Sequence, residues 1–151
     1  MPPAFVSAAM SGRAPASVEL ILPSRPLAAT QARRALDALA LGDDELAAEA
    51  ALLVTEVVAN AVEHADGGQL RVVMTVDAEG QRLFCAVFDS SAAAPIAEDR
   101  APREAGSDAE GGRGLHLVAT LSQAWGYTRA DDGKWVWFRL DRGPAAADAA
   151  A

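Results

Sequence analysis

Three groups of residues in this chain are of types and spacings that could do chemistry. In Leu52-Leu53-Val54-Thr55-Glu56-Val57-Val58-Ala59-Asn60-Ala61-Val62-Glu63-His64, the polar residues Glu56, Asn60 and His64 stand at i, i+4 and i+8. At 100° per residue they form one line along a helix, beside the apolar stripe Leu53/Val54, Val57/Val58 and Ala61/Val62. Asparagine is a mediocre helix former, so its place in the middle of such a line, where core meets solvent, points to a ligand. An ordinary solvated helix edge has the same pattern. The second group is Asp89-Ser90-Ser91, after the apolar run Leu83 to Phe88. A carboxylate at a strand's exit accepts hydrogen bonds from an amino group in a pocket mouth, or simply starts a turn. The third is Glu110-Gly111-Gly112-Arg113-Gly114-Leu115-His116-Leu117-Val118, glycines opening an apolar helix. Backbone N–H groups unshielded at a helix start hold phosphate oxygens against the positive end of the helix dipole. No Gly-Lys-Ser/Thr follows, which excludes a Walker loop, and no strand precedes, which argues against a dinucleotide fingerprint.

The elements that must position these groups can be read from periodicity and breakers. Val18 to Leu22 is a short strand closed by Pro23, and Pro26 lies near the start of a helix through Leu41, ended by Gly42. Asp43 or Asp44 caps a longer helix to about Ala65, broken by Asp66-Gly67-Gly68. Leu70 to Val76 and Leu83 to Phe88 form an antiparallel hairpin. A long loop follows from Ser90 to Gly112, then a helix from Gly114 to Ser122 and a second hairpin, Trp125 to Thr128 with Trp135 to Leu140. This order predicts an α+β fold: a two-layer sandwich of a mixed, mainly antiparallel sheet with about three helices on one face. Residues 1–16 and 142–151 read as flexible arms around one domain over 17–141.

Composition narrows the function classes. The chain has 151 residues and a net charge of −8, which argues against direct binding of nucleic acid or of an anionic membrane surface. Lys134 is its only lysine. No run approaches the ~18 apolar residues of a membrane span, and the first 15 residues lack a secretory pattern, so the expected location is cytoplasmic. One cysteine, Cys85 in an apolar run, excludes a disulfide within the chain and reads as a buried structural thiol. Two histidines, His64 and His116, do not make a zinc site. Trp125, Trp135 and Trp137 fit strand positions and pack the sheet.

Taken in this order, the Glu56/Asn60/His64 helix, the strand ending at Asp89, the long loop and the Gly112-Arg113-Gly114 helix start resemble the histidine-kinase-like (GHKL) ATP-binding fold. The segments Val54 to Ala65, Asp89-Ser90-Ser91 with Pro95, and Glu110 to Leu115 resemble those of the small stand-alone ATP-binding regulators of actinobacteria, which are similar to anti-sigma-factor serine kinases. The resemblance spans about Val18 to Leu140. It implies that ATP and Mg²⁺ are held between sheet and helices under a lid formed by residues 90–111. By the same resemblance Asn60 binds Mg²⁺ and bridges to the phosphates, Asp89 accepts from the adenine amine, and Gly112 and Gly114 approach the phosphates. His64 supports the phosphate end, Ser91, Arg113 and Leu115 complete the nucleotide site, and Glu56 is the catalytic base. The attacking hydroxyl is then a serine on a partner, or water in a slow ATPase. The implied partner is a sigma factor or an anti-anti-sigma-type protein, and homodimers are common in the family. The alternative is a non-catalytic interaction module gated by its nucleotide lid. Family members usually carry a threonine near the start of the last strand to bind the adenine end. The corresponding stretch is Gly133-Lys134-Trp135, where Trp135 has no hydroxyl and Thr128 on the neighbouring strand is the substitute. Glu110 stands roughly where kinase members place an arginine.

Overall fold

The computed structural model describes residues 14–65, 67–91 and 109–142, with 109–114 as backbone only. The chain runs β1 (Ala16–Pro23), α1 (Leu27–Asp37), α2 (Asp44–His64), β2 (Gln69–Val76), β3 (Arg82–Asp89), α3 (Ala109–Leu121), β4 (Ala124–Ala130) and β5 (Gly133–Asp141). The five strands form one sheet in the order β1-β2-β3-β5-β4, and every pairing is antiparallel. The expected α+β sandwich is therefore present, with a sheet that is antiparallel throughout rather than mixed. The two hairpins supply β2·β3 and β4·β5. The last strand returns to pair with β3, leaving β4 at the edge.

All three helices cover one face. Ala28, Ala32 and Leu36 of α1, Leu53, Val54, Val57, Val58 and Ala61 of α2, and Leu115 and Val118 of α3 pack on Leu70, Val72, Met74, Leu83, Cys85, Val87, Phe138 and Leu140 of the sheet. Each fully buried Leu, Val or Phe contributes ~1.5–3 kcal/mol, so this layer holds the sandwich together. The opposite face of the sheet is apolar at its centre too. Phe84, Ala86 and Trp135 are buried there, flanked by Val73, Phe88 and Trp137. Apolar residues on both faces explain why β3 reads as a continuous apolar run instead of alternating.

Helix ends depart from expectation in two places. α1 stops at Asp37, short of Leu41, because the chain turns at Ala40, whose φ of 56° is incompatible with a right-handed helix. α3 begins at Ala109, five residues before Gly114, so the glycines lie inside its first turns. The cost of glycine there is offset by the packing of Leu115 and Val118 further along the same helix. α2 behaves as expected: Asp43 Oδ2 accepts from the Leu46 amide at 2.8 Å and caps it. Residues 1–13 and 143–151, most of the stretches 1–16 and 142–151 expected to be arms, and residues 92–108 with Pro95, most of the loop expected to form a lid, lie outside the described residues. Among the described residues no helix is long and apolar enough to cross a membrane.

Candidate functional site

The line on α2 lies where the helical period puts it. Glu56, Asn60 and His64 are each half-buried, while Leu53, Val57 and Ala61 are buried and Leu52, Ala59 and Glu63 are exposed. His64 Nδ1 lies 2.9 Å from the Asn60 carbonyl oxygen, which fixes the ring against the helix one turn back. Thr55 Oγ1 donates to the Ala51 carbonyl and accepts from Arg33 of α1 at 3.3 Å, tying the two helices together beside the line.

Strand register places the other groups. Glycine turns after α2 lead directly into β2, whose start lies at the same end of the sheet as Asp89, because Arg71 pairs with Phe88. α3 ends at Leu121, three residues before β4 starts at Ala124 at the opposite end, where Ala124 and Phe84 both pair with Arg139. At ~1.5 Å per residue, its 13 residues reach back about 20 Å, so its N-terminal turn points toward the Asp89 end. α2 packs against both β3 and α3. The C-terminal turns of α2, the end of β3 and the start of α3 thus lie at one end of the molecule. The amides of a helix that lack an intrahelical acceptor belong to its first turn. In α3 that turn comprises residues around Glu110 and Gly111, with Gly112 at its limit and Gly114 within the ladder.

Asp89 is 2% exposed, and Lys134, directly opposite it on β5, is 5% exposed. Both side chains continue the helix-facing row of Cys85 and Val87 on β3 and of Val136 and Phe138 on β5. Lys134 Nζ donates to Asp89 Oδ1 at 3.0 Å, and the Ser91 amide donates to the same oxygen at 2.8 Å. Ser91 is itself buried. Both strands approach so closely here that Gly133 admits no side chain: a Cβ would overlap the Asp89 carbonyl oxygen and come within 2.6 Å of Phe88 Cζ. A cavity of about 330 Å³ opens beside the pair, lined by Ser90, Ser91, Lys134 and the β4–β5 turn.

This register corrects the reading of the last strand. Trp135 pairs with Phe88 on the outer face, their ring centroids 5.3 Å apart, and so never faces the Asp89 side. Thr128 pairs with Trp135, shares that outer face and cannot substitute for the missing hydroxyl. The side chain that meets Asp89 is Lys134, which sequence reasoning did not assign to the site. Its signal was a single lysine between apolar residues of a strand, but linking it to Asp89 needed the pairing of β3 with β5. Of the remaining candidates, Leu115 is packed in the main core and His116 is half-buried on α3, while the side chain of Arg113 lies outside the described residues.

The donor set fits a nucleotide and Mg²⁺. Among the described residues both hydrogen bonds to Asp89 fall on Oδ1, which leaves Oδ2 to accept from an amine. No group of three or more His, Cys, Asp or Glu side chains converges as a metal cage among the described residues. Magnesium does not need one, since it keeps several waters and takes one or two protein oxygens together with substrate phosphates. The Asn60 amide is suited to that role. The Cys85 thiol, by contrast, is pushed up to about 12 by burial and is chemically inert.

No curated protein matches this chain significantly. The model of the histidine kinase-like ATPase domain family matches residues 22–140, from the end of β1 to the end of β5 and across all three groups of candidate residues. The chain belongs to the histidine kinase-like ATPase domain family.

Proposed function

We propose that the protein is an anti-sigma-type regulator that binds ATP with Mg²⁺ and transfers the terminal phosphoryl group to a serine of an anti-anti-sigma-type partner. The observation that carries this reading is the buried Asp89 at the end of β3, at the same end of the sandwich as the polar line of α2 and the N-terminus of α3. Asp89 accepts from the exocyclic amine of adenine, with the Ser91 amide holding its carboxylate in place. The first-turn amides of α3 face the phosphates, and the Asn60 side-chain oxygen takes a position on Mg²⁺. Mg²⁺ held there by Asn60 would supply positive charge to offset that of the phosphates.

Glu56 lies one helical turn before Asn60, roughly 5–6 Å away between Cβ atoms. It accepts the proton of the attacking serine hydroxyl as the new O–P bond forms and ADP departs with the electrons of the cleaved bond. No lysine from a phosphate loop is required, because positioning and charge neutralisation supply most of the rate. Glu56→Ala should leave ADP affinity within about twofold and lower phosphoryl transfer by ~10²–10⁴-fold, measured as labelled phosphate on the partner. Transfer at an undiminished rate removes Glu56 as the base. Glu110, in the place of an arginine, favours a second reading in which the nucleotide only gates a partner surface. In that case wild type binds the partner in a nucleotide-dependent way and transfers nothing.

A further inference from the structure

The geometry points to Lys134 as a second base-reading residue, its ammonium donating to the ring nitrogen beside the adenine amine while Asp89 accepts from the amine itself. This inference rests on the nucleotide reading above and adds a donor to it. The chain contains one lysine, and it is buried at the strand end where a long cationic side chain is costly to place. Its Nζ has three N–H groups, and among the described residues one of them is used, on Asp89 Oδ1 at 3.0 Å. The carboxylate in turn has Oδ1 saturated by Lys134 and the Ser91 amide, with Oδ2 left over. The pair therefore holds an acceptor and a donor side by side, and of the two it is Lys134 that lines the adjoining cavity of about 330 Å³, with Ser90 and Ser91, while Asp89 stands directly behind it.

The Watson–Crick edge of adenine carries the complementary sequence, an amine donor next to a ring-nitrogen acceptor. Lys134 is fixed for this role by its partner. Its Cα lies directly opposite that of Asp89, and the glycine before it lets the two strands close up. A point charge on a flexible stem would otherwise lose entropy on binding, and the ion pair has already ordered it.

The test measures binding of ADP and of 1-deaza-ADP, in which the ring nitrogen is replaced by C–H, each with Mg²⁺, by calorimetry on wild type, Lys134→Met and Lys134→Arg. Wild type should prefer ADP by about ten- to hundredfold, the range for one charge-assisted hydrogen bond. Lys134→Met should lose that preference, and Lys134→Arg should retain part of it. Equal affinity of wild type for the two ligands overturns the role of Lys134 and leaves the nucleotide reading standing. Tighter binding of ADP by Lys134→Met also overturns it, since the lysine would then block the site. Should Lys134→Met not fold, the wild-type ratio and Lys134→Arg decide the matter alone. No binding of ADP to wild type overturns both this inference and the reading beneath it.

Discussion

At the residue scale, the buried pair of Asp89 and Lys134 changes what a substitution there means. Removing one partner of a buried ion pair leaves the other charge uncompensated, at a cost of about 3–5 kcal/mol, whereas replacing both with apolar or neutral groups is often near neutral. Asp89→Asn and Lys134→Met should each lower the urea-unfolding free energy by that amount, and the double variant should recover most of it. Additive losses in the double variant would mean that the two groups do not stabilise each other. A loss of ADP affinity in Asp89→Asn alone is thus not a clean measure of the amine contact. Cys85 gives a second residue-scale prediction. Its folded pKa, raised to about 12 from 9.0, lies above its unfolded value because burial disfavours the thiolate. Between those values the unfolded chain releases a proton that the folded chain keeps. Stability therefore falls as pH rises from about 9, by up to ~1.4 kcal/mol per pH unit from this group. Urea titrations across that window should show a steeper loss in wild type than in Cys85→Ala, and parallel curves would contradict the burial argument. The shared line of Glu56, Asn60 and His64 on α2 and the place of Asp89 at the end of β3 were legible in the sequence because helical spacing and a strand exit are local signals. Lys134 was not legible, since it lies 45 residues from Asp89 and meets it through a pairing that no local pattern specifies.

At the element scale, α2 matters most, since it carries the polar line and packs against α1, α3 and β3. Its start was readable from Asp43-Asp44, and Asp43 caps it. Asp43→Ala should cost about 1 kcal/mol of stability in urea unfolding, the usual worth of such a cap. Because the cap is remote from the line at the other end of the helix, ADP affinity should change by less than about twofold. α3 starts earlier than the expected Gly114 for a physical reason: three glycines in four residues read as the end of the long loop, and their low propensity is overridden by the apolar packing that follows. The end of α1 was missed because Ala38 to Leu41 continue an alanine-rich helical pattern, and only the positive φ at Ala40 ends it. The strands were located to within a few residues because each is bounded by glycine, proline or aspartate turns. Which face each tryptophan occupies depended on register. Trp125 joins the core under the helices, while Trp135 and Trp137 cover the outer face with Phe88 and Phe84.

At the scale of the whole molecule, the order of elements points to a sheet with helices on one side, and the antiparallel return of β5 to β3 brings Lys134 opposite Asp89. That return is a long-range pairing in which Val136, Phe138 and Leu140 extend the apolar row of β3 on the helix-facing side and Trp135 and Trp137 extend it on the outer side. The central claim is that one end of this sandwich holds an adenine nucleotide. A ligand that binds the folded chain and not the unfolded one must stabilise it, by ~2.7 kcal/mol at a hundred times its dissociation constant. Thermal unfolding of wild type with and without millimolar ADP and Mg²⁺ is the most direct measurement. The account predicts a rise in Tm of several degrees that grows with ADP concentration, and a Tm unchanged at every ADP concentration would contradict it.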